Sequence, residues 1–400
     1  MIPMRQSFDK VTFLTGSAQL LEELPQVKTL PVFSDDSVGF LSALSAELLK
    51  DAETKRYPDL TAYAFWIRKA SLETQRRRYQ NAFRVGRGLS FHIAPSNVPV
   101  AFALSFTAGL LAGNVCVVRV SNKEFQQVEI IVRAIKKLLN GAFAHFAPYL
   151  YLVRYEHDAQ ITQEFSALCD VRVIWGGNQT IGTIRSAKLP PRAVELTFAD
   201  RHSLAVIDAD RYLELDAQKV AENFYTDTYY SDQNACSSPR LVFWLGKSIA
   251  QARERFWNTL ENYIRSRYEI QPIQSVDKLD ALCRLAAEYP DVRKVGNANQ
   301  LIRVLLPKLY PEVMDYKEGG GYFFEYEAKT LMELMPALGK PCQTVAYLGI
   351  DPEEIMEFAV QSGVRGVDRV VPLGATMALS LIWDGFDLVE SMSRLIYLER

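Results

Sequence analysis

Several features that would assign a protein class directly are missing from this sequence of 400 residues. The glycine fingerprint G-x-G-x-x-G is absent, so a standard dinucleotide-binding turn is not indicated. The longest apolar stretch, Val98 to Val120, is interrupted by polar residues and two glycines, so no membrane-spanning helix is expected. No C-x-x-C pair occurs, which disfavours a disulfide framework and a metal site. The five cysteines are Cys116, Cys169, Cys236, Cys283 and Cys342.

An excess of charge of one sign is also missing. The 45 basic and 47 acidic residues leave a net charge of −2, which offers no broad electrostatic reason to bind nucleic acid or an anionic membrane. We therefore expect small-molecule partners. Asp9 and Lys10 precede any hydrophobic run, so the N-terminal stretch does not fit a secretory signal, and a cytoplasmic location is expected. The 48% apolar composition is that of an ordinary soluble protein with a large core.

The order of predicted elements indicates two α/β domains behind a helical region. Residues 1–88 carry apolar residues mainly at helical spacing. From Leu89, strands alternate with helices, which indicates a doubly wound domain with a parallel sheet over residues 89–205. A second α/β series follows LAVIDAD and occupies residues 206–370, and residues 371–400 form a tail.

Cys236 is the candidate nucleophile. It lies in DQNACSSPR, after a predicted helix and before the predicted strand RLVFWL, among small residues that leave its sulfur approachable. A cysteine attacks as the thiolate, which nearby positive charge favours, and Arg240 is four residues away. The alternative is that Cys236 is buried and acts as a small hydrophobic residue.

Asn97 is the candidate donor to an oxyanion. It lies in HIAPSNVPV, beyond a predicted buried strand, where its side-chain amide could stabilise the oxygen that becomes negative when a thiolate adds to a carbonyl. Alternatively, Asn97 caps the next helix, with Pro99 in the first turn. His92 fits a hydrogen-bonded histidine on a buried strand better than it fits a general base.

Two segments at predicted strand-to-helix turns could hold a phosphate-containing cofactor. RVSNK (119–123) follows the strand VCVV and opens a helix, where backbone N–H groups and the helix dipole favour an anion. GGNQTIG (176–182) follows the strand VRVIW and also opens a helix, and Asn178 is predicted to be its cap. Small polar residues at such turns are common, so neither segment identifies a cofactor alone.

Taken in order, these segments resemble motifs of the aldehyde dehydrogenase superfamily. APSNVP is similar to its P-W-N-F-P loop, AGNVCVVRVSNK to A-G-N-x-V-V-x-K-P-S-E, GGNQTIG to G-S-T-x-x-G, and NAC to Q-x-C. The later segments KPCQTVAYLGID, VDRVVPLG and WDGFDL resemble the LuxC-like acyl-CoA reductases, the family of the fatty-acid reductase subunit of bacterial bioluminescence. The resemblance runs from about Leu89 to the end of the sequence.

The resemblance implies an aldehyde-dehydrogenase-like fold, with a helical N-terminal region packed on a dinucleotide-binding domain and a separate catalytic domain. It also implies that Cys236 is the acylated nucleophile and that Asn97 and the backbone N–H of Cys236 form the oxyanion hole. The residues implied to hold the cofactor are Arg119, Ser121, Lys123, Gly177, Asn178 and Gly182.

Two departures from the superfamily pattern bear on the cofactor and the chemistry. The acid of K-P-S-E that binds ribose hydroxyls is replaced by neutral and basic residues in RVSNK, which suits a 2′-phosphate, so NADPH is expected. ELTF stands where oxidising members have E-L-G-G, leaving Glu195 as a possible general base. The nicotinamide-ribose motif E-x-F-G-P has no clear counterpart, because GYFFEYE around Glu325 matches it poorly.

The implied reaction is NADPH-dependent reduction of an acyl thioester, either acyl-CoA or a carrier-bound acyl group, to an aldehyde through an acyl-enzyme on Cys236. A long-chain acyl group is favoured by the resemblance. Three alternatives stay open: a CoA-acylating dehydrogenase working oxidatively, an aldehyde dehydrogenase that makes free acid with Glu195 as base, and an inactive acyl-binding scaffold. A homo-oligomer is expected from the superfamily, and a partner enzyme could supply the acyl group or accept the aldehyde.

Overall fold

The computed structural model describes residues 6–80, 83–296 and 298–399. The chain forms two compact units. The first unit comprises residues 1–199 and 379–400, and the second comprises residues 200–378. The predicted boundaries at 205/206 and 370/371 fall instead within strands of the second unit.

Residues 6–199 form seven of the strands and eight of the helices that the structure describes. The strands are β1 (Thr12–Thr15), β2 (Arg84–Gly86), β3 (Leu89–Ile93), β4 (Val115–Arg119), β5 (Leu150–Arg154), β6 (Val171–Trp175) and β7 (Val194–Phe198). The helices are α1 (Ala18–Glu22), α2 (Asp35–Lys50), α3 (Pro58–Trp66), α4 (Lys69–Arg76), α5 (Ala101–Leu111), α6 (Gln126–Leu139), α7 (Ala159–Leu168) and α8 (Asn178–Arg185). Helices α2 to α4 occupy the region predicted to be helical, where Asn81 and Ala82 lie outside the described residues.

The first unit is built on a six-stranded sheet of order β1-β5-β4-β3-β6-β7. Its strands are parallel except for β1, which pairs antiparallel with β5 at the edge. Strands β3 and β6 are buried along their whole length, as continuous apolar runs in a two-sided sheet require. Adjacent residues of β4 enter separate cores, with Val117 in one and Val118 in the other. Helices therefore cover both faces of this sheet.

The second unit is built on a seven-stranded sheet of order β10-β11-β12-β9-β8-β13-β14, parallel except between β10 and β11. Its strands are β8 (His202–Asp208), β9 (Pro239–Leu245), β10 (Arg293–Val295), β11 (Ile302–Leu305), β12 (Tyr322–Glu327), β13 (Cys342–Leu348) and β14 (Arg369–Pro372). Its helices are α9 (Ala209–Leu213), α10 (Ala217–Asp227), α11 (Ile249–Ile264), α12 (Pro272–Glu288) and α13 (Pro352–Gln361).

The C-terminal segment returns to the first unit. It contains β15 (Ile382–Trp383), β16 (Phe386–Asp387), α14 (Leu388–Met392) and β17 (Ser393–Leu395). Strand β17 pairs antiparallel with β2, and the Asn114 side chain donates a hydrogen bond to the Met392 carbonyl over 2.9 Å. These contacts explain why residues 379–400 belong to the first unit rather than forming a separate tail.

The turn between α5 and β4 requires glycine. Gly113 has φ +87°, and a Cβ atom there would lie 2.0 Å from the carbonyl oxygen of Leu30. Only glycine tolerates both the backbone conformation and the close approach. The apolar stretch around this turn is therefore a helix, a turn and a strand rather than one continuous helix. In the described part of the chain, no helix is long and apolar enough to cross a membrane.

His92 has a structural role in the core of the first unit. Its Nδ1 atom lies 2.7 Å from Ser105 Oγ, and its Nε2 atom lies 2.8 Å from Ser90 Oγ. Ser105 Oγ also accepts a hydrogen bond of 3.0 Å from the Trp175 indole. Because the ring is fully buried, the pKa of His92 is lowered to about 3. The interpretation of His92 as a hydrogen-bonded core residue rather than a base is confirmed.

We predict that His92 makes the fold sensitive to acid. Below a pH of about 6.5 the His92 ring is protonated in the unfolded chain but stays neutral in the folded chain. The free energy of unfolding therefore falls by up to about 1.4 kcal/mol for each pH unit below this value. Urea unfolding between pH 7.5 and 4.5 should show a shallower fall for His92→Gln than for the wild type. The exposed His157→Gln variant should keep the wild-type slope. Equal slopes for the wild type and His92→Gln would contradict the assignment.

Candidate active site

Three of the predicted site segments follow neighbouring parallel strands of the first unit. Asn97 lies beyond β3, the segment 119–123 includes the end of β4, and the segment 176–182 follows β6. Strand β3 lies between β4 and β6 in the sheet, and the strand order reverses around it. In doubly wound sheets, ligands bind at the carboxyl ends of the strands where the order reverses. The fold therefore brings these three segments to one edge of the sheet.

The segment after β6 offers backbone donors at the start of α8. Gly177 is the N-cap residue and no described side chain caps the helix, so the prediction that Asn178 is the cap is wrong by one residue. Asn178 is exposed as the first helical residue. A Cβ atom added at Gly182 would meet no atom within 4 Å. The glycine is thus not required by contacts within the described chain, and its face is open to a ligand.

The segment after β4 presents one fixed and one exposed cation. The Arg119 guanidinium stacks over the Tyr155 ring at 4.7 Å and donates to the Tyr155 carbonyl over 3.3 Å. Its Nε atom is buried and has no hydrogen-bond partner among the described residues. Ser121 Oγ accepts the Lys123 backbone N–H over 3.1 Å, and the Lys123 side chain is exposed. This segment is therefore held in place and positively charged.

Asn97 is exposed on the loop between β3 and α5. Helix α5 begins at Ala101, with Val100 at the N-cap position. The alternative that Asn97 caps this helix is therefore wrong. The polar function of Asn97 as an oxyanion donor stays a prediction.

Glu195 lies near the amino end of the first sheet rather than at its carboxyl edge. It is the second residue of β7 and pairs in register with Arg172 on β6. One carboxylate oxygen accepts from Arg172 Nε over 2.8 Å, and the other accepts from Arg185 Nε over 2.7 Å. Because both oxygens already bind guanidinium groups, this geometry offers no support for the predicted role of Glu195 as a general base.

Cys236 lies in the second unit, on the loop that precedes β9. Its side chain is exposed, so the alternative of a buried structural cysteine is wrong. The loop joins a helical segment to the start of a strand, which places Cys236 at the amino end of the parallel sheet. The carboxyl-end rule for open sheets therefore does not locate this residue. Its backbone carbonyl accepts a 2.8 Å hydrogen bond from Ser203 Oγ at the start of β8.

Gln233 anchors the loop that carries Cys236. Its side-chain oxygen accepts the backbone N–H groups of Gly321 and Tyr322 over 2.7 and 3.0 Å. Its side-chain nitrogen donates to the carbonyls of Pro239 and Tyr322 over 3.2 and 3.3 Å. Asp232 and Gln233 both have positive φ, at 52° and 55°, a conformation that costs energy in residues other than glycine. The buried amide holds this loop in that conformation.

The three consecutive glycines 319–321 form the other side of this anchor. The Gly320 N–H donates to the Asp232 carbonyl over 3.0 Å. Gly321 has φ +86°, and a Cβ atom there would lie 2.1 Å from the carbonyl oxygen of Gln300. The glycines are needed because the two backbones approach this closely. Gly320 and Gly321 are both buried.

Asp227 and Ser237, which sequence reasoning missed, hold a segment beside the cysteine loop. The Asp227 carboxylate accepts the backbone N–H groups of Gly374 and Thr376 over 2.6 and 3.0 Å, and burial raises its pKa to about 6. Met377 then accepts a hydrogen bond from Ser237 Oγ at 3.4 Å. The motif VDRVVPLG leads into this segment, but nothing in the sequence pairs it with Asp227.

Glu325 is excluded from ligand contact by burial. Its side chain is fully buried on β12 and accepts from the indole N–H groups of Trp244 and Trp257 over 3.1 and 2.6 Å. Arg303 lies 3.4 Å away. Glu325 therefore has a structural role, in agreement with its poor match to a ribose-binding motif.

The fold is that of an α/β protein of the aldehyde dehydrogenase type. The NAD-dependent benzaldehyde dehydrogenase from Corynebacterium glutamicum has this fold, with a TM-score of 0.62 and 14% sequence identity over 96% of this chain and 88% of that chain. The chain belongs to the acyl-CoA reductase (LuxC) family, whose sequence profile matches residues 65–289. The predicted family and the predicted fold class are both confirmed.

Two relatives show how far this similarity extends. The long-chain acyl-protein thioester reductase of Aliivibrio fischeri is 26% identical over 325 residues, which cover 78% of this chain and 63% of that protein. The long-chain acyl-protein thioester reductase of Vibrio harveyi is 28% identical over 220 residues, which cover 54% of this chain and 44% of that protein. The chain thus spans less than two thirds of the length of either relative.

We predict that the Gln233 amide contributes strongly to stability. In Gln233→Met, the buried N–H groups of Gly321 and Tyr322 lose their acceptor, which should lower the free energy of unfolding by about 2–4 kcal/mol in urea titrations. The control is Gln218→Met on the exposed face of α10, which should change it by less than about 0.5 kcal/mol. A loss in Gln233→Met no larger than in the control would show that the amide is not an anchor.

Proposed function

We propose that this protein reduces an acyl thioester to an aldehyde with NADPH, through an acyl-enzyme on Cys236. The observation that carries the proposal is that the family profile covers an exposed cysteine on an anchored loop. The relatives from Aliivibrio fischeri and Vibrio harveyi are thioester reductases acting on long-chain acyl groups, which supports a long-chain thioester as the substrate.

Burial distinguishes Cys236 from most of the other cysteines. Cys116, Cys169 and Cys342 are buried, and burial raises the pKa of each thiol to about 12, so none of them supplies a thiolate near neutral pH. Cys283 is exposed but lies within α12 rather than on the loop that Gln233 anchors. Exposure and position on the anchored loop therefore favour Cys236 over the other cysteines as the nucleophile.

The chemistry begins with attack of the Cys236 thiolate on the carbonyl carbon of the thioester. The carbonyl oxygen becomes negative, and the backbone N–H of Cys236 and the side chain of Asn97 are the proposed donors to it. Collapse of this adduct breaks the carbon–sulfur bond to the leaving thiol, which is that of CoA or of a carrier, and leaves a thioester on Cys236. When bound, the dihydronicotinamide would supply the hydride to the carbon of this acyl group. Cleavage of the carbon–sulfur bond to Cys236 then releases the aldehyde and restores the thiolate.

Several features of the first unit fit a dinucleotide. The uncapped start of α8 presents backbone N–H groups to an anion, and the face of Gly182 is open. Gly177, Asn178 and Gly182 are the residues proposed to hold the diphosphate and the nicotinamide side. Arg119, Ser121 and Lys123 are proposed to hold the adenosine ribose, and the unpaired Nε of Arg119 is consistent with a missing acceptor. Their positive charge favours the 2′-phosphate of NADPH.

Reduction of a thioester needs no base to activate water. The ion pairs of Glu195 with Arg172 and Arg185 are compatible with this reaction, and they argue against hydrolysis to a free acid. A CoA-acylating dehydrogenase would use the same residues in the oxidative direction. We therefore propose a reductase, and the supply of thioester and NADPH sets the direction of the reaction.

We predict that activity depends on Cys236 and Asn97. With purified protein, NADPH and acyl-CoAs of graded length, Cys236→Ala should abolish thioester-dependent loss of absorbance at 340 nm, because no acyl-enzyme forms. Asn97→Ala should lower kcat about 100- to 1000-fold, as expected for loss of one oxyanion donor. The exposed Cys283→Ala variant is the matched control and should keep full activity.

The same assay separates the proposal from the alternatives. Acyl-enzyme detected by intact mass in the wild type but not in Cys236→Ala would support the covalent step. Absence of turnover and of acyl-enzyme with acyl-CoA and with acyl-carrier donors would instead support an inactive acyl-binding scaffold. Equal activity of Cys236→Ala and wild type would refute the nucleophile.

We predict a specific contribution of Lys123 to NADPH binding. Loss of one charge-assisted contact of about 1.4 kcal/mol should raise KM for NADPH about tenfold in Lys123→Ala, with kcat unchanged. KM for NADH should change little, because NADH lacks the 2′-phosphate. Lys136→Ala on the exposed face of α6 is the matched control. Equal effects of Lys123→Ala on both cofactors would remove Lys123 from the 2′-phosphate site.

A further inference from the structure

Arg240 is a buried cation directly beneath the cysteine loop. It is the second residue of β9, and only 8% of it is exposed. Its guanidinium donates to the backbone carbonyls of Gln233 and Glu318. No carboxylate of the described residues forms an ion pair with it. Its hydrogen-bond partners are therefore neutral, and its charge is not balanced by them.

A buried charge without a counter-charge is costly, so the anionic groups near Arg240 indicate which group its charge stabilises. Burial lowers the pKa of Arg240 to about 10, and two neighbouring anionic groups, Glu318 and Cys236, oppose that change. Glu318 is the stronger of the two, although burial and the nearby Asp277 raise the pKa of its carboxyl group. Cys236 is the second, and a thiolate there would be stabilised by the same charge.

The other charged groups near Arg240 do not replace it. His202 on β8 stays neutral near pH 7, because burial, followed by the charges of Lys317, Arg201 and Arg240, lowers its pKa to about 4. Arg201 is bound to the Asp368 carboxylate. Lys317 lies just before Glu318 and is only partly buried. Lys278 on α12 is also buried, but it donates to the carbonyls of Asn299 and Gly320. Arg240 is a buried cation that is hydrogen-bonded to the cysteine loop itself, through the Gln233 carbonyl.

We propose that Arg240 is a positioning residue that fixes the cysteine loop through two carbonyls and whose charge favours the thiolate form of Cys236. The inference deepens the proposed function, since it explains how the same cysteine becomes a nucleophile near neutral pH. It links the two anchors of the loop, because Gln233 binds the glycine segment through its side chain and binds Arg240 through its carbonyl. Charge and geometry then act together on one sulfur atom.

Two substitutions separate charge from geometry. Arg240→Met removes the charge and both hydrogen bonds. Arg240→Lys keeps the charge, although an ammonium group does not reproduce the two-armed geometry of guanidinium. Circular dichroism and urea unfolding establish that each variant is folded before it is used. If Arg240→Met fails to fold, the comparison is made between Arg240→Lys and the wild type, and against Arg240→Gln.

The test is the rate of alkylation of Cys236 by iodoacetamide from pH 5 to 10, followed by peptide mass spectrometry on the full chain without substrate. Alkylation reports the thiolate, so it needs no turnover, and exposed Cys283 is an internal reference in the same sample. We expect Arg240→Met or Arg240→Gln to slow alkylation of Cys236 about tenfold or more at pH 7 and to move its pH profile upward. Arg240→Lys should stay closer to the wild type, and Cys283 should be unaffected.

The outcomes separate this inference from the proposed function. An unchanged Cys236 profile in a folded neutral variant would overturn it and would leave Arg240 as a structural residue, while the reductase assay could still succeed. Equal slowing in Arg240→Lys and the neutral variant would also overturn the role of charge. Conversely, a shifted profile in a protein that reduces no thioester would support Arg240 and reject the reductase.

Discussion

The side-chain amide of Gln233 satisfies backbone groups of two separate segments, and the position of Cys236 depends on it. The oxygen and nitrogen of this amide bind Gly321, Tyr322 and Pro239, so the loop before β9 is joined to the loop before β12. Buried backbone groups without partners are costly, so the amide and the glycines that approach it act as one element. This arrangement exposes one cysteine at a defined place while burying the chain on either side of it.

The two units use their parallel sheets differently. In the first unit, the segments that contain Asn97, Arg119 and Gly182 lie at the carboxyl edge, where helix N-termini and turn N–H groups point outward. In the second unit, Cys236 lies at the amino edge, on a loop that enters a strand instead of leaving one. Anion binding benefits from the first arrangement. The second arrangement suits the proposed nucleophile, because several strands restrain its backbone.

Many polar residues that attract attention in the sequence are structural. His92 is neutral between two serines, Glu325 is held by two indole groups, and Glu195 is bound by two arginines. Each is neutral by burial or already saturated with partners, so none is available to transfer a proton. Cys236 differs from them, because its side chain is exposed and a buried cation lies nearby. Exposure and a nearby buried cation, rather than residue type, distinguish the proposed nucleophile.

The sequence by itself determined the alternation of strands and helices from Leu89, the order of the motifs and the family, because periodicity and short motifs are local properties of the chain. It also indicated Cys236 and the two strand-to-helix segments. Only the tertiary structure decided the partners of Gln233, Asp227 and Arg240, since each binds groups that are distant along the chain. The return of residues 379–400 to the first unit and the pairing of Glu195 with two arginines were decided in the same way. Burial and hydrogen bonding are set by the groups that folding brings together, and no local pattern records them.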